Sequence, residues 1–139
     1  MKKFLVLLFL GGFIVLFSYW VGYYFGPSSW EGWHVANILH FLGGIYALFF
    51  VRSLYNLTKK HHKTITAFPF EIIIFVGGVL ILGVLWEWYE FIFIYNYGAS
   101  MMSRISISTY IDTMYDLMLD LTGAVLAGVY LFVKNGKNK

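Results

Sequence analysis

The sequence predicts an all-α integral membrane protein, a single transmembrane domain built as a four-helix bundle. Three observations predict it. They are the composition, the presence of four long apolar stretches, and the placement of nearly all basic residues on one side of the predicted membrane. Of the 139 residues, 60% are hydrophobic and only 12% are charged, and the mean hydropathy is +0.72. Soluble domains carry about 25% charged residues. Because so little polar surface is left, we do not expect a water-exposed fold.

Each of the four apolar stretches is long enough to cross a bilayer, which takes roughly 20 helical residues. They run over about residues 4–25, 33–57, 70–95 and 109–133. The segments between them, GPSSWEG, TKKHHKTITAF and NYGASMMSRISIS, have the Gly, Ser and Lys content of connections. The first stretch also resembles a secretory signal peptide. Bulky aromatic residues stand where a small-residue cleavage site would follow, so we expect an uncleaved span.

The basic residues predict the orientation. In a chain with four spans, both termini and the middle connection lie on one side of the membrane. Every Lys and Arg except Arg104 falls on that side, and basic residues favour the cytoplasmic face. We therefore expect cytoplasmic termini, with the connections around Trp30 and Ser103 facing outward. The expected location is the cell membrane, which the chain crosses several times.

Ionisable residues from three spans are predicted to converge at one depth. Asp112, Asp116 and Asp120 are spaced four residues apart, so they line one face of a helix over about 12 Å. Three separate spans place such groups in the outward half of the membrane. The other members are Glu87 and Glu90 in span three and His34 and His40 in span two.

The positions of small residues indicate where these polar faces point. Gly123 and Ala127 continue the aspartate face, and Gly44 lies below the histidines on span two. Small residues let membrane helices approach closely, so the polar faces are expected to look at one another and the bulky faces at lipid. The glycine pairs 11–12, 43–44 and 77–78 likewise predict close-packing contacts.

The excess of acids over bases predicts either bound protons or a bound cation. A charged carboxylate at mid-bilayer costs about 2.5–3.5 kcal/mol or more, and the nearby cationic candidates do not balance five acids. Mixed His and carboxylate ligands suit Zn, Mn, Fe or Mg. We expect Asp112, Asp116 and Glu87 as first ligands. Asp120, Glu90, His34 and His40 are expected to be supporting ligands or acid/base groups.

Other features narrow the chemistry without naming it. The chain has no cysteine, which excludes thiolate metal sites and cysteine nucleophiles. The Glu-x-x-His pair that marks di-iron bundles is missing, and no nucleophile elbow or phosphate-binding glycine loop is present. A nucleic-acid partner is not expected. Arg104 is expected to hold a phosphate of a lipid or polyprenyl head group at the surface, since guanidinium suits phosphate oxygens.

The second half of the sequence also carries a family resemblance. The stretches GVLWEWYEF and SRISISTYIDTMYDLMLDLTGAVLAG resemble the YjdF-like family of small inner-membrane proteins, and more distantly the VanZ-like family. LHFLGG in span two is a weaker third element. The residues that carry the resemblance are Glu87, Glu90, Arg104, Asp112, Asp116, Asp120, Gly123 and Ala124.

The resemblance implies a multi-span protein of a prokaryotic inner membrane, and it leaves the chemistry open. The VanZ-like pattern tends to have Asn at the position of Asp120 and Gln at that of Glu90, so this chain is more acidic. Whether the protein is an enzyme is not decided by the sequence.

Three functions therefore stay open at this stage. The first is a site that binds a divalent cation and acts on or binds a lipid head group. The second is a carrier subunit that relays protons or ions, which needs a homo-oligomer because four spans are few for a pathway. The third is a structural subunit whose polar face pairs with another membrane protein.

Overall fold

The computed structural model describes residues 2–25, 30–62, 68–94 and 107–136, and all of these are helical. Helix α1 is Lys2–Phe25, α2 is Trp30–His62, α3 is Phe68–Tyr89 and α4 is Ile107–Gly136. A π-helical segment, Glu90–Ile94, continues α3. The all-α, four-helix prediction is confirmed.

Each helix contains a stretch that is long and apolar enough to cross a membrane. These candidate spans are Phe4–Phe25, His34–Lys59, Phe70–Phe93 and Tyr110–Leu131. They hold at least 22 residues each, which at 1.5 Å per residue covers the ~30 Å hydrocarbon core. The chain is therefore a multi-pass membrane protein.

The distribution of side chains is the reverse of that in a soluble bundle. Large apolar side chains point outward along all four helices, with Phe9 80% exposed and Met118 67% exposed. The buried polar and charged side chains include His40, Asp116 and Asp120. In a bilayer this arrangement places the apolar side chains against the lipid chains and keeps the charged side chains away from them.

Helix α2 is the centre of the bundle, since it packs against each of the other three helices. Its closest approach is to α4, with which it runs parallel. A Cβ at Gly44 would fall on the backbone of Asp120, and a Cβ at Gly123 would fall on the backbone carbonyl of Phe41. Neither position has room for a side chain, so these two glycines set the separation of α2 and α4.

Helix α1 packs across α2 and the end of α3. The Tyr46 hydroxyl donates a hydrogen bond to the Leu7 carbonyl at 3.0 Å, and the same hydroxyl fills the space beside Gly11. The Tyr89 hydroxyl donates to the Val15 carbonyl at 3.2 Å. These bonds hold α1 against the other helices in a medium that offers backbone carbonyls no water.

An apolar layer crosses the bundle below its polar half. It consists of Ala47, Leu48, Val79, Ala124 and Ala127, all of which are buried. Beyond it, at the end of the bundle where α1 begins and α4 ends, Glu71 accepts hydrogen bonds from Tyr55 at 2.7 Å and Lys59 at 3.1 Å. The layer therefore separates two polar regions.

Candidate functional site: a buried histidine among four carboxylates

His40 is the centre of the polar region. It is 2% exposed, and its ring meets the Trp86 ring edge to face with centroids 6.1 Å apart. Gly44, one turn further along α2, brings α4 close enough for His40 to be enclosed. A bulkier residue at position 44 would move α4 away from the imidazole.

Four carboxylates surround this imidazole, and three of them lie on one side of the ring. His40 Nε2 is 3.7 Å from Glu87 Oε1, 3.8 Å from Glu90 Oε1 and 3.5 Å from Asp116 Oδ2. His40 Nδ1, on the other side, is 3.6 Å from Asp120 Oδ2. These separations exceed the 2.7–3.2 Å of a good N–H···O hydrogen bond. We call these five residues the His40 cluster.

Hydrogen bonds from neighbouring side chains fix two of the acids. Thr113 Oγ1 donates to Glu87 Oε2 at 2.8 Å, and Trp86 Nε1 donates to Glu90 Oε1 at 2.9 Å. Each bond holds one carboxylate in a defined rotamer facing His40. Glu90 is also the first residue of the π-helical segment, a distortion that is frequent at functional sites.

Several polar atoms of the region are buried without a hydrogen-bond partner. They are both ring nitrogens of His40, Glu87 Oε1, Asp116 Oδ1, Asp120 Oδ2 and Asn37 Oδ1. Leaving one such group unsatisfied costs about 1–3 kcal/mol, and more for a charged group. Several of these atoms lie at ion-pair distance from one another instead, and they retain unused hydrogen-bonding capacity.

The position of Asp120 is set by glycines on two other helices. A Cβ at Gly83 would lie 2.8 Å from Asp120 Oδ2, and a Cβ at Gly43 would lie 3.5 Å from Asp120 Oδ1. The carboxylate therefore occupies space that a side chain on α3 would take. Glycine at position 83 makes room for Asp120 between α2, α3 and α4.

The cluster lies at one depth in three candidate spans. Each of three cluster residues is six residues, or about 9 Å, from one end of its span: His40 from His34, Glu87 from Phe93, and Asp116 from Tyr110. At this depth a carboxylate is in the hydrocarbon region rather than among head groups. Its surroundings must therefore be supplied by protein or by a ligand.

The sequence-predicted site residues divide into three groups in the structure. Five of them come together: His40, Glu87, Glu90, Asp116 and Asp120. Asp112 lies one turn above Asp116 on α4, half-buried and within electrostatic reach of it. The His34 side chain is exposed, about 9 Å along α2 from His40. Arg104 lies outside the described residues.

Two supporting residues were not among the predicted ones. Thr113 is three residues before Asp116, so helical periodicity places it on the same face, and this signal was present in the sequence. Trp86 is adjacent to Glu87 and one turn before Glu90, but its donor role depends on a rotamer that spacing does not reveal.

Three of the cluster residues, His40, Glu87 and Glu90, offer ligand atoms that all lie within 4.8 Å of one another.

The fold and this cluster define a multi-pass helical membrane protein with a buried histidine–carboxylate site. The chain belongs to the family of predicted membrane proteins DUF2238, which matches residues 1–137. The YjdF-like resemblance fits this family, whereas the comparisons do not extend to the VanZ-like family. No curated protein and no solved structure matches the chain.

Proposed function

We propose that the His40 cluster binds a divalent cation inside the membrane. The observation that carries the proposal is the set of close, converging ligand atoms from His40, Glu87 and Glu90, of which His40 Nε2 and Glu87 Oε1 have no hydrogen-bond partner. A cation between these atoms would satisfy them at once, drawing each ligand atom inward to about 2.0–2.2 Å.

The charge balance supports the same conclusion. Four carboxylates face one imidazole, which carries at most a single positive charge. A divalent ion compensates two of the negative charges directly, which lowers the cost of holding them at this depth. The mixture of one nitrogen and several oxygens suits Mn, Fe or Zn better than Mg, which prefers oxygen ligands and retained water.

The remaining acids take supporting roles in this proposal. Asp116 would be a fourth ligand, because its Oδ2 is 3.5 Å from His40 Nε2. Asp112 lies one turn further from the cluster on α4. Asp120 faces the opposite side of the ring and does not share the Nε2 position. The sequence favoured Asp112, Asp116 and Glu87 as first ligands. Our proposal keeps Glu87 and puts His40 and Glu90 in the places of Asp112 and Asp116.

We place the site in the outward half of a prokaryotic inner membrane, with both termini in the cytoplasm. The orientation is supported by the sequence, in which every Lys and Arg except Arg104 belongs to the side of the termini and the middle connection. The inner membrane is supported by the YjdF-like resemblance. A phosphate-bearing lipid head group held by Arg104 remains a proposal from the sequence.

A relay of protons or ions through one chain is the weaker alternative. The apolar layer of Ala47, Leu48, Val79, Ala124 and Ala127 lies directly below the cluster. It carries no side-chain polar atom that could pass a proton towards Glu71. Binding at a site that ends at this layer therefore accounts for the described residues better than conduction does, and a homo-oligomer or a partner subunit is not needed for it.

Equilibrium dialysis of the purified protein against Mn²⁺ and Zn²⁺ tests the proposal. The wild type is expected to bind one ion per chain, and Glu87→Gln to bind it at least about 10-fold more weakly, since even residues that only orient ligands are worth 10–100-fold. Glu71→Gln is the matched control, because Glu71 lies beyond the apolar layer. No stoichiometric ion in the wild type, or equal affinity in all three proteins, would contradict the proposal.

A further inference from the structure

A cavity of about 390 Å³ lies between α1, α2 and α3 and reaches α4 only at Asp120. Its volume falls within the range of ~300–1,000 Å³ that is usual for ligand pockets. The walls are mainly apolar, and two charged or titratable side chains of the His40 cluster, His40 and Asp120, line one part of it. Glu87, Glu90 and Asp116 do not line it, so it is separate from the proposed cation position.

Four of the residues that line this space are glycines, and one of them faces open room. Tyr46 fills the space beside Gly11, and Asp120 lies beside Gly43 and Gly83. A Cβ at Gly12 would meet nothing within 4 Å, which means that α1 faces open room there. The space is partly open at the surface of the bundle, so an apolar chain from the surrounding lipid can enter it.

The polar atoms around the cavity are of two kinds. The Tyr46 and Tyr89 hydroxyls already donate to carbonyls of α1, and Trp86 already donates to Glu90. In contrast, His40 Nδ1 and Asp120 Oδ2 are buried, lie 3.6 Å apart and have no hydrogen-bond partner. The two side chains are only 1% and 7% exposed.

These two atoms lie at ion-pair distance from each other but form no hydrogen bond, and together they determine which head group fits. A hydroxyl can donate to Asp120 Oδ2 and accept from the N–H of His40 in one position, because it is both donor and acceptor. A phosphate or carboxylate would instead meet the Asp120 carboxylate. No lysine or arginine lines the cavity among the residues that the structure describes, so an anionic group would be buried without a cation.

We propose that this cavity binds a long-chain alcohol, with its apolar chain along α1 and its hydroxyl between His40 and Asp120. The inference rests on the proposed function only through His40, which the two sites share. Its Nε2 faces the cation position and its Nδ1 faces the hydroxyl. The site would thus hold a neutral lipid alcohol beside a bound cation.

Photolabelling in lipid nanodiscs tests this inference, with hexadecanol carrying a diazirine near the chain end as the probe. In the wild type, label is expected on the cavity side of α1 and α2, and an excess of untagged hexadecanol is expected to remove it. Gly12→Leu fills the cavity, so labelling there should fall about 10-fold or more, the change that corresponds to one step of ~1.4 kcal/mol in affinity.

Gly77→Leu is the matched control, because a Cβ at Gly77 also meets nothing within 4 Å and Gly77 does not line the cavity. It is expected to label like the wild type. Equal labelling of Gly12→Leu, labelling that untagged hexadecanol does not displace, or equally efficient labelling by the hexadecanoate analogue would overturn the inference. The competition experiment uses only the wild type, so it tests the alcohol site even if Gly12→Leu does not fold.

The two proposals fail separately. Mn²⁺ dialysis of Gly12→Leu is expected to match the wild type, because Gly12 contacts none of the acids around His40 Nε2. Displaceable labelling without a bound ion would overturn the cation proposal alone. A bound ion without displaceable labelling would overturn the alcohol site alone.

Discussion

The close approach of α2 and α4 leads to a prediction about Gly44. In Gly44→Ala the new methyl group would fall on the backbone of Asp120. Overpacking usually costs about 1–3 kcal/mol when side chains can yield. Here the atoms met are backbone, so the two helices must separate, and we expect at least the upper end of that range.

Gly77→Ala is the control for the same chemical change. Its Cβ meets nothing within 4 Å, and replacing Gly by Ala in a helix is favourable by up to about 1 kcal/mol. The difference in unfolding free energy between the two variants should therefore be about 3–4 kcal/mol. That is two to three powers of ten in the unfolding equilibrium constant, at ~1.4 kcal/mol for each tenfold.

Unfolding of the protein in mixed micelles by SDS, followed by tryptophan fluorescence and circular dichroism, measures this difference. Gly44→Ala combined with Gly123→Ala should cost less than the sum of the two single changes, because both act on one helix interface. If Gly44→Ala proves as stable as Gly77→Ala, α2 and α4 are not in backbone contact. The geometry of the His40 cluster would then be wrong as well.

Three further predictions concern the surroundings of the site. Trp86→Phe removes the hydrogen-bond donor to Glu90 and should weaken Mn²⁺ binding by about 10–100-fold. Trp88→Phe is the control and should bind Mn²⁺ like the wild type in the dialysis experiment, because the Trp88 side chain is 61% exposed. Gly11→Ala should lower SDS resistance, and less so in a Tyr46→Phe background, because the new Cβ meets the Tyr46 hydroxyl; equal losses in both backgrounds would refute that contact. Mn²⁺ affinity should fall steadily as the pH is lowered, since imidazole and carboxylate ligands must lose protons to bind, and a pH-independent affinity would argue against these ligands.

The sequence was sufficient for the fold class because that inference depends on composition and length alone. Sixty per cent hydrophobic residues and four long apolar stretches leave few alternatives to a helical membrane protein. Periodicity also placed Asp116 and Asp120 on one helical face, and their burial in the structure is consistent with a face that turns away from lipid.

Spacing alone could not decide which of the two histidines belongs to the buried cluster. His34 and His40 are six residues apart on α2, so both rings were able to face the bundle. The structure buries His40 and leaves the side chain of His34 exposed. The difference comes from Gly44, which brings α4 against the turn that carries His40, and such a contact between distant segments is invisible in local periodicity.

The glycine pairs show the same limit. Each pair was expected to mark a close contact, and each contains at least one: Gly11 against Tyr46, Gly44 against Asp120 and Gly78 against Val51. Gly43 also contacts Asp120, at ordinary van der Waals distance, whereas Gly12 and Gly77 face open space. Which member packs depends on the rotation of each helix, which is set by tertiary contacts.

X-ray absorption at the metal edge, on protein loaded with one equivalent of Mn²⁺ or Zn²⁺, tests the central claim most directly. The account predicts a first shell with a single imidazole nitrogen and carboxylate oxygens, and the imidazole contribution should vanish in His40→Phe. A shell of water oxygens alone, or an imidazole signal that persists in His40→Phe, would contradict it.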